Sequence, residues 1–339
     1  MIKDIGEDVN FGNIQDMSSY VSVIVPMYNA EHYIEQCAQS IMDQAFQPQE
    51  VILVEDCSTD LTLQKVEKLP FKVLRLAKRH GAGAARNAGV KESKGEIIVF
   101  VDADMELASH SLGKIVAHIS KPGIDVVSAL YTKDLPETAN FFSHFQNLIC
   151  IYRNSKLPKT APITFSFFCA MKKDVFNSIG GYNMTIPSYE DIEIGHRLAQ
   201  KGYHCILDDG LDVMHLKFYD HGRLVSEYFK KTSTAIAYAY AGEFFKKISR
   251  DNCPMLLKVA GISTFLCLIS VFLVPWTTVP LAVSLGLYLS MVLPLTLFFI
   301  KRRGFLFGVG ACLLCFEIFL VSFFAAIYGI LNSKKCLSS

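Results

Sequence analysis

The chain has 339 residues, a formal net charge of +1 and 51% hydrophobic residues, more apolar than an ordinary soluble domain. So even a charge balance leaves no basic footprint for a nucleic-acid partner. Ten scattered cysteines, with a single Cys-x-x-Cys at Cys312 and Cys315 inside an apolar run, argue against a zinc or disulfide framework and suit a reducing cytoplasm.

The first segment, 1–19, is polar and acidic and lacks the apolar core of a secretory signal, so it is read as a tail. Val21–Val25 is an apolar strand broken by Pro26, and Tyr33, Ile34, Cys37, Ala38 and Ile41 then recur at helical spacing. A second strand, Val51–Val54, ends in Glu55-Asp56-Cys57-Ser58-Thr59-Asp60, where Ser58 and Thr59 suit a helix cap. Phe71–Leu76 reads as a third strand. Gly81–Lys91 reads as a loop feeding a helix, and Glu96–Val101 as the fourth strand. This rhythm predicts an α/β fold, an open and mainly parallel sheet with helices on both faces.

Ligands of such sheets bind beyond the carboxyl ends of the strands. Three of those ends carry polar groups: Pro26–Asn29, Glu55–Asp60 and Asp102–Asp104. The apolar run Ile97–Val101 leads into Asp102 and Asp104, a spacing that delivers hard oxygen ligands to a divalent cation. Gly81 and Gly83 suit either a phosphate cradle at a helix start or close packing of that helix on the sheet. Arg86 suits pairing with a base carbonyl or phosphate, or a surface ion pair. Glu190 and Asp191 suit catalytic carboxylates or, together with Glu193, first-turn acids favoured by a helix dipole.

Beyond a domain expected over 20–220, residues 221–254 interleave aromatics with lysines, as amphipathic helices in a membrane interface do. From Leu256 to Leu331 almost every residue is apolar. Within 255–332 three segments, Leu256–Val274, Pro280–Ile300 and Phe305–Leu331, are near or above the roughly 20 residues that cross a bilayer. A basic tail, 333–339, follows. Lys301–Arg303 and the cluster Lys246, Lys247, Arg250 and Lys258 are expected to share the cytoplasmic side, which makes the protein multi-pass with a cytoplasmic amino-terminal domain. Lys334 and Lys335 fit three spans badly. Glu317, within the last segment, suits a functional group or a packing partner.

In order and spacing, Val21-Ser-Val-Ile-Val-Pro-Met-Tyr-Asn29, Val54-Glu-Asp-Cys-Ser-Thr-Asp60, Gly81-Ala-Gly-Ala-Ala-Arg-Asn-Ala-Gly89 and Phe100-Val-Asp-Ala-Asp104 resemble a family 2 inverting glycosyltransferase of the GT-A fold. Gly180-Gly-Tyr182 and Tyr189-Glu-Asp-Ile-Glu193 extend the resemblance over roughly residues 20 to 215. It implies a nucleotide-sugar donor framed by Pro26, Tyr28, Glu55, Asp56, Arg86 and Asp102. It further implies a metal, Mn2+ or Mg2+, on Asp104 with Asp102, and His215 as its third ligand or as a structural histidine. Asp191 would be the general base and Glu190 its orienting partner. Glu55-Asp56-Cys57-Ser58 stands where the family has Asp-Asp-Gly-Ser, so the base is open, with UDP favoured.

An anchored enzyme points to a lipid-borne acceptor, and the acid pair tilts this toward a hydroxyl of a lipid-linked saccharide or glycolipid. The expected partners are therefore the donor, that acceptor and membrane lipids. The alternative within the enzyme class is a polyprenyl-phosphate glycosyltransferase, whose ionised acceptor needs no base. A non-catalytic scaffold or transport subunit is the less favoured class, since no inverted repeat is visible. The lone Trp276 lacks the Gln-x-x-Arg-Trp context of processive synthases, so one transfer per encounter is expected.

Overall fold

In the computed structural model, residues 20–160, 164–184, 190–241, 266, 269, 270 and 278–333 are described. The chain divides into two compact units, Met1–Pro136 with Arg153–Lys217, and Glu137–Tyr152 with Phe218–Ser339. The inserted stretch Glu137–Tyr152 thus groups with the second unit, although it lies inside the 20–220 expected for one domain.

In the first unit the strands are β1 Val21–Met27, β2 Glu50–Glu55, β3 Lys72–Arg75, β4 Ile97–Val101, β5 Met105–Leu107, β6 Val126–Ala129, β7 Phe168–Lys172, β8 Cys205–Asp208 and β9 Val213–His215. Seven of them form one sheet in the order β3-β2-β1-β4-β7-β6-β8, and β5 pairs with β9 in a separate ribbon. All neighbours in the large sheet are parallel except β7, which runs against both β4 and β6. The expected four-strand start and the mainly parallel sheet are present; the antiparallel β7 is an addition.

Helices cover both faces: α1 Ile34–Met42, α2 Thr62–Val66, α3 Ala82–Glu92, α4 Ser111–Ile119, α6 Lys173–Ser178 and α7 Glu190–Gln200, while α5 Phe141–Asn154 belongs mostly to the second unit. Alternation along the strands builds two cores. Val23, Val25, Val99 and Val101 meet Ile34, Cys37 and Ile41 of α1 and Leu112, Ile115 and Ile119 of α4. Ile24, Ile98 and Phe100 meet Ala85 and Val90 of α3, Phe176 of α6 and Ile194 and Leu198 of α7. A strand buried on both faces has to be apolar throughout, which is why Ile97–Val101 reads as a continuous run. Gly89 lets α3 sit down on this surface, because a Cβ there would lie 2.5 Å from Ile24 Cγ2.

In the second unit, α8 His221–Ala241 is followed by α9 Val279–Arg303 and α10 Phe305–Leu331. Within the last two, Pro280–Arg303 and Phe305–Leu331 have mean hydropathies of 2.1 and 2.3, long and apolar enough to cross a membrane. Gly304, at φ 85, turns one into the other. At that turn Arg303 pairs with Glu137 at 2.6 Å and lies against the His144 ring, while Phe141, Phe145, Phe299 and Phe307 stack around it. Glu317 is bonded to His221 Nε2 at 2.8 Å, a packing partnership between α10 and α8. Of the first expected span, Leu256–Val274, only residues 266, 269 and 270 are described; the rest of it lies outside the described residues, as do residues 1–19, 242–254 and 334–339, and with them Lys246, Lys247, Arg250, Lys258, Lys334 and Lys335.

Candidate active site

The loops after β1 and β2 interlock at the carboxyl edge of the sheet. Asn29, at φ 50, accepts the Thr59 amide on its side chain at 2.8 Å, and its own amide donates to Ser58 Oγ at 3.1 Å. Cys57 holds φ 58, the left-handed region that only glycine enters without steric cost, and it stands where the family motif has glycine. The Glu55 carboxylate is turned back to accept the Ser58 amide. Asp56 accepts the amides of His80 and Gly81 at 2.8 and 2.7 Å, tying the start of α3 to the end of β2. Both acids are buried, and their carboxylates shape the loops. Pro26 is buried within β1, and Tyr28 is half-buried with the Arg79 guanidinium 3.9 Å above its ring.

With its amide bonded to Asp56, Gly81 leaves no open cradle there, and a Cβ on Gly83 would lie 3.2 Å from Tyr182 Cβ. Close packing is therefore the role of Gly83, whereas Gly81, with open space around it, serves through its φ of 90. The packing aims Arg86 of α3 inward. Its side chain is 3% exposed and bridges two acids, donating to Asp102 Oδ1 at 2.6 Å and to Glu190 Oε1 at 3.1 Å. The Tyr182 ring lies 5.3 Å from the guanidinium, and Asn87 grips the Tyr182 backbone with bonds of 2.8 Å in each direction. Arg86 Nε is buried and has no hydrogen-bond partner among the described residues. Arg86 is thus an internal ion-pair centre, and neither a surface salt bridge nor an open anion ligand.

The two aspartates after β4 part company. Asp102 turns to Arg86; burial raises its carboxyl, with Arg86 opposing. Asp104 turns the other way, its Oδ2 lying 3.2 Å from His215 Nε2. The β5–β9 ribbon makes that meeting, pairing Met105 with His215, which stand far apart in the chain with no local pattern to connect them. Burial works against the ionised form of Asp104, but His215 and then Lys217 hold its carboxyl below the usual range. Among the described residues no three His, Cys, Asp or Glu side chains are grouped to hold a metal; the donor set is this pair.

At the start of α7, Glu190 and Asp191 are half-buried. Burial first, then the neighbouring Glu190 charge, pushes the Asp191 carboxyl up to about 6. Asp191 O accepts the Thr164 hydroxyl at 2.9 Å, which fixes the backbone of the turn. Glu193, by contrast, forms a two-pronged pair with Arg197 at 2.6 Å, and Arg197 also caps Gly181 O at 2.7 Å. Glu193 is therefore a structural acid. Tyr189 lies outside the described residues.

The structure thus gathers Arg86, Asp102 and Glu190 through direct bonds, with Asp104 and His215 beside Asp102 and Asp191 beside Glu190. Pro26, Tyr28, Glu55 and Asp56 line the neighbouring strand ends. Arg79, Asn87 and Tyr182 were not anticipated in these roles; the basic run Lys78-Arg79-His80 directly after β3 is the sequence signal for the first of them.

Residues 22–180 match the family described as Glycosyl transferase family 2. The poly(ribitol-phosphate) beta-N-acetylglucosaminyltransferase TarS of Staphylococcus aureus is 42% identical over 113 residues, 31% of this chain and 20% of that protein. The putative teichuronic acid biosynthesis glycosyltransferase TuaG of Bacillus subtilis is 40% identical over 99 residues, 28% of this chain and 39% of that one. This chain therefore spans well under half the length of these curated relatives. A solved mannosyltransferase from Pyrobaculum calidifontis, in complex with GDP-Man and Mn2+, superposes with a TM-score of 0.58 at 20% identity, over 93% of this chain and 87% of that one. That likeness shows the fold, a GT-A arrangement.

Proposed function

We propose that the protein is a membrane-bound, inverting glycosyltransferase, a reading that starts from the match of residues 22–180 to the family described as Glycosyl transferase family 2. It moves one sugar from a nucleotide-diphosphate donor, UDP-sugar being favoured, to a hydroxyl of a lipid-linked saccharide or glycolipid at the cytoplasmic face. The observation that carries this reading is the Arg86 bridge, 2.6 Å to Asp102 and 3.1 Å to Glu190, which joins the acids after β4 to the acid pair of α7 in one cluster.

Inversion needs a single in-line attack, with the acceptor hydroxyl giving up its proton on the side away from the leaving group. Asp191 is the base: a carboxyl near 6 is ionised at neutral pH yet basic enough to take a proton in the transition state. Glu190, held by Arg86, orients the acceptor and keeps Asp191 from ionising too readily. Tyr28 and Arg79 form an edge suited to the base of the donor. Asp104 and His215 offer a carboxylate oxygen and an imidazole nitrogen, a pair that suits Mn2+ or Mg2+ with substrate and water oxygens completing the shell, and the ion would draw charge from the leaving diphosphate.

The apolar hairpin of α9 and α10 supports membrane attachment, and so a lipid-borne acceptor. The names of TarS and TuaG, which specify transfer to poly(ribitol-phosphate) and teichuronic acid biosynthesis, point to hydroxyls of a cell-envelope polymer or its precursor. The raised Asp191 carboxyl favours such a hydroxyl over a polyprenyl phosphate, which needs no base. Incubating the full-length protein with lipid extracts, Mn2+ or Mg2+ and a panel of radiolabelled nucleotide sugars tests the assignment. Label entering the lipid fraction from one donor supports it; no transfer from any donor refutes it.

A further inference from the structure

The β5–β9 ribbon does not end at His215. Leu216 N donates to Asp104 O at 2.7 Å, so the pairing that sets Met105 against His215 continues by one residue to Leu216 and Asp104, and Lys217 follows directly after it. The Lys217 charge also reaches Asp104, where it is one of the influences that favour the carboxylate. Lys217 is half-buried, so its charge is not simply a solvated surface one.

Transfer makes a demand that the site described so far meets only in part. The bond from the anomeric carbon to the terminal phosphate oxygen breaks, and its electron pair stays on that oxygen. The acceptor oxygen bonds to the carbon and its proton passes to Asp191. The departing nucleoside diphosphate gains one negative charge, beside four carboxylates. The Arg86 charge is already shared with Asp102 and Glu190, which its two terminal nitrogens hold at 2.6 and 3.1 Å.

Resting on the proposed function, we propose that Lys217 is a catalytic residue that binds the donor diphosphate. Its ammonium pairs with oxygens of the β-phosphate on the Asp104 side and remains with the leaving group as charge develops. The competing role, neutralising Asp104 alone, would alter metal affinity without altering diphosphate affinity once metal is saturating.

Titration calorimetry of the full-length protein at saturating Mn2+, with UDP and GDP set against UMP and GMP, separates these roles. Lys217→Gln is expected to weaken the diphosphate by about tenfold to a hundredfold, the size of one lost charge-assisted contact, and the monophosphate by less than about threefold. Lys217→Arg is expected to stay within about threefold of wild type for both. Unchanged diphosphate affinity in Lys217→Gln, or equal losses for both nucleotides, overturns the assignment. A wild-type protein that binds neither diphosphate with Mn2+ or Mg2+ overturns the proposed function itself, and this inference falls with it.

Discussion

Replacing Arg86 by methionine keeps the length of the side chain and its packing against Tyr182 while deleting the charge that Asp102 and Glu190 share. In wild type the guanidinium is 3% exposed and the carboxylates of Asp102 and Glu190 are 30% and 21% exposed. A pair of unit charges about 4 Å apart interacts by roughly 4 kcal/mol at the effective dielectric of a partly buried site. Burial of the three groups offsets much of that, yet removing one partner strands the others, and measured losses for such deletions are about 3–5 kcal/mol. Water at the two carboxylates screens the loss, so about 3 kcal/mol is the figure for Arg86→Met. That corresponds to a fall in Tm of roughly 6–12 °C for a domain of this size. The assay is thermal unfolding of the full-length protein, repeated for Glu190→Gln and for the double variant. Because Glu190→Gln removes one stranded charge, the double variant should be less destabilised than the sum of the two, by about 1 kcal/mol. A loss below about 1 kcal/mol in Arg86→Met, or simple additivity, refutes the bridge as the element that holds α7 to the end of β4.

Gly89→Ala drives a methyl to 2.5 Å from Ile24 Cγ2, and overpacking of that kind should cost about 1–3 kcal/mol in urea unfolding. His118 and Asp208 form a buried pair in which burial opposes, but the His118 bond and the Gly210 amide outweigh, so the Asp208 carboxyl is lowered. A depressed acid contributes stability above its ordinary value of 3.8 and loses it as pH falls through the lower folded value, so acid unfolding of wild type should be steeper there than that of His118→Gln. His215→Ala should weaken Mn2+ binding, measured by electron paramagnetic resonance with nucleotide present, by about tenfold to a hundredfold while leaving Tm nearly unchanged.

Much of the first unit is legible in the sequence because its strands are apolar runs closed by turn residues. Val21–Val25, Val51–Val54 and Ile97–Val101 are all strands, and the glycines of Gly81–Gly89 do open a helix. The antiparallel β7 has no such punctuation: Phe168–Lys172 is apolar on both faces whichever way it runs. β5 and β9, three residues each, are too short for any period to show, yet their register is what joins Asp104 to His215. Spacing marks Asp102 and Asp104 as a pair but cannot say that they face different partners, since this depends on the direction each takes out of the turn after β4. In the same way Glu190, Asp191 and Glu193 look equivalent in the chain, and only the packing of α7 gives Glu193 to Arg197, Glu190 to Arg86 and the perturbed carboxyl to Asp191. The two long apolar helices follow from composition alone, whereas the partnership of Glu317 with His221 needs α8 and α10 side by side.

The most direct test of the whole account is the rate of nucleoside diphosphate release coupled to sugar transfer, wild type against Asp191→Asn, followed from pH 5 to 8 with donor binding measured alongside. With Asp191 as the base, wild-type kcat should fall as pH drops through about 6, where that carboxylate takes up its proton. Asp191→Asn should bind donor normally while losing about 10²- to 10⁴-fold in transfer. Transfer by Asp191→Asn at the wild-type rate would contradict the account.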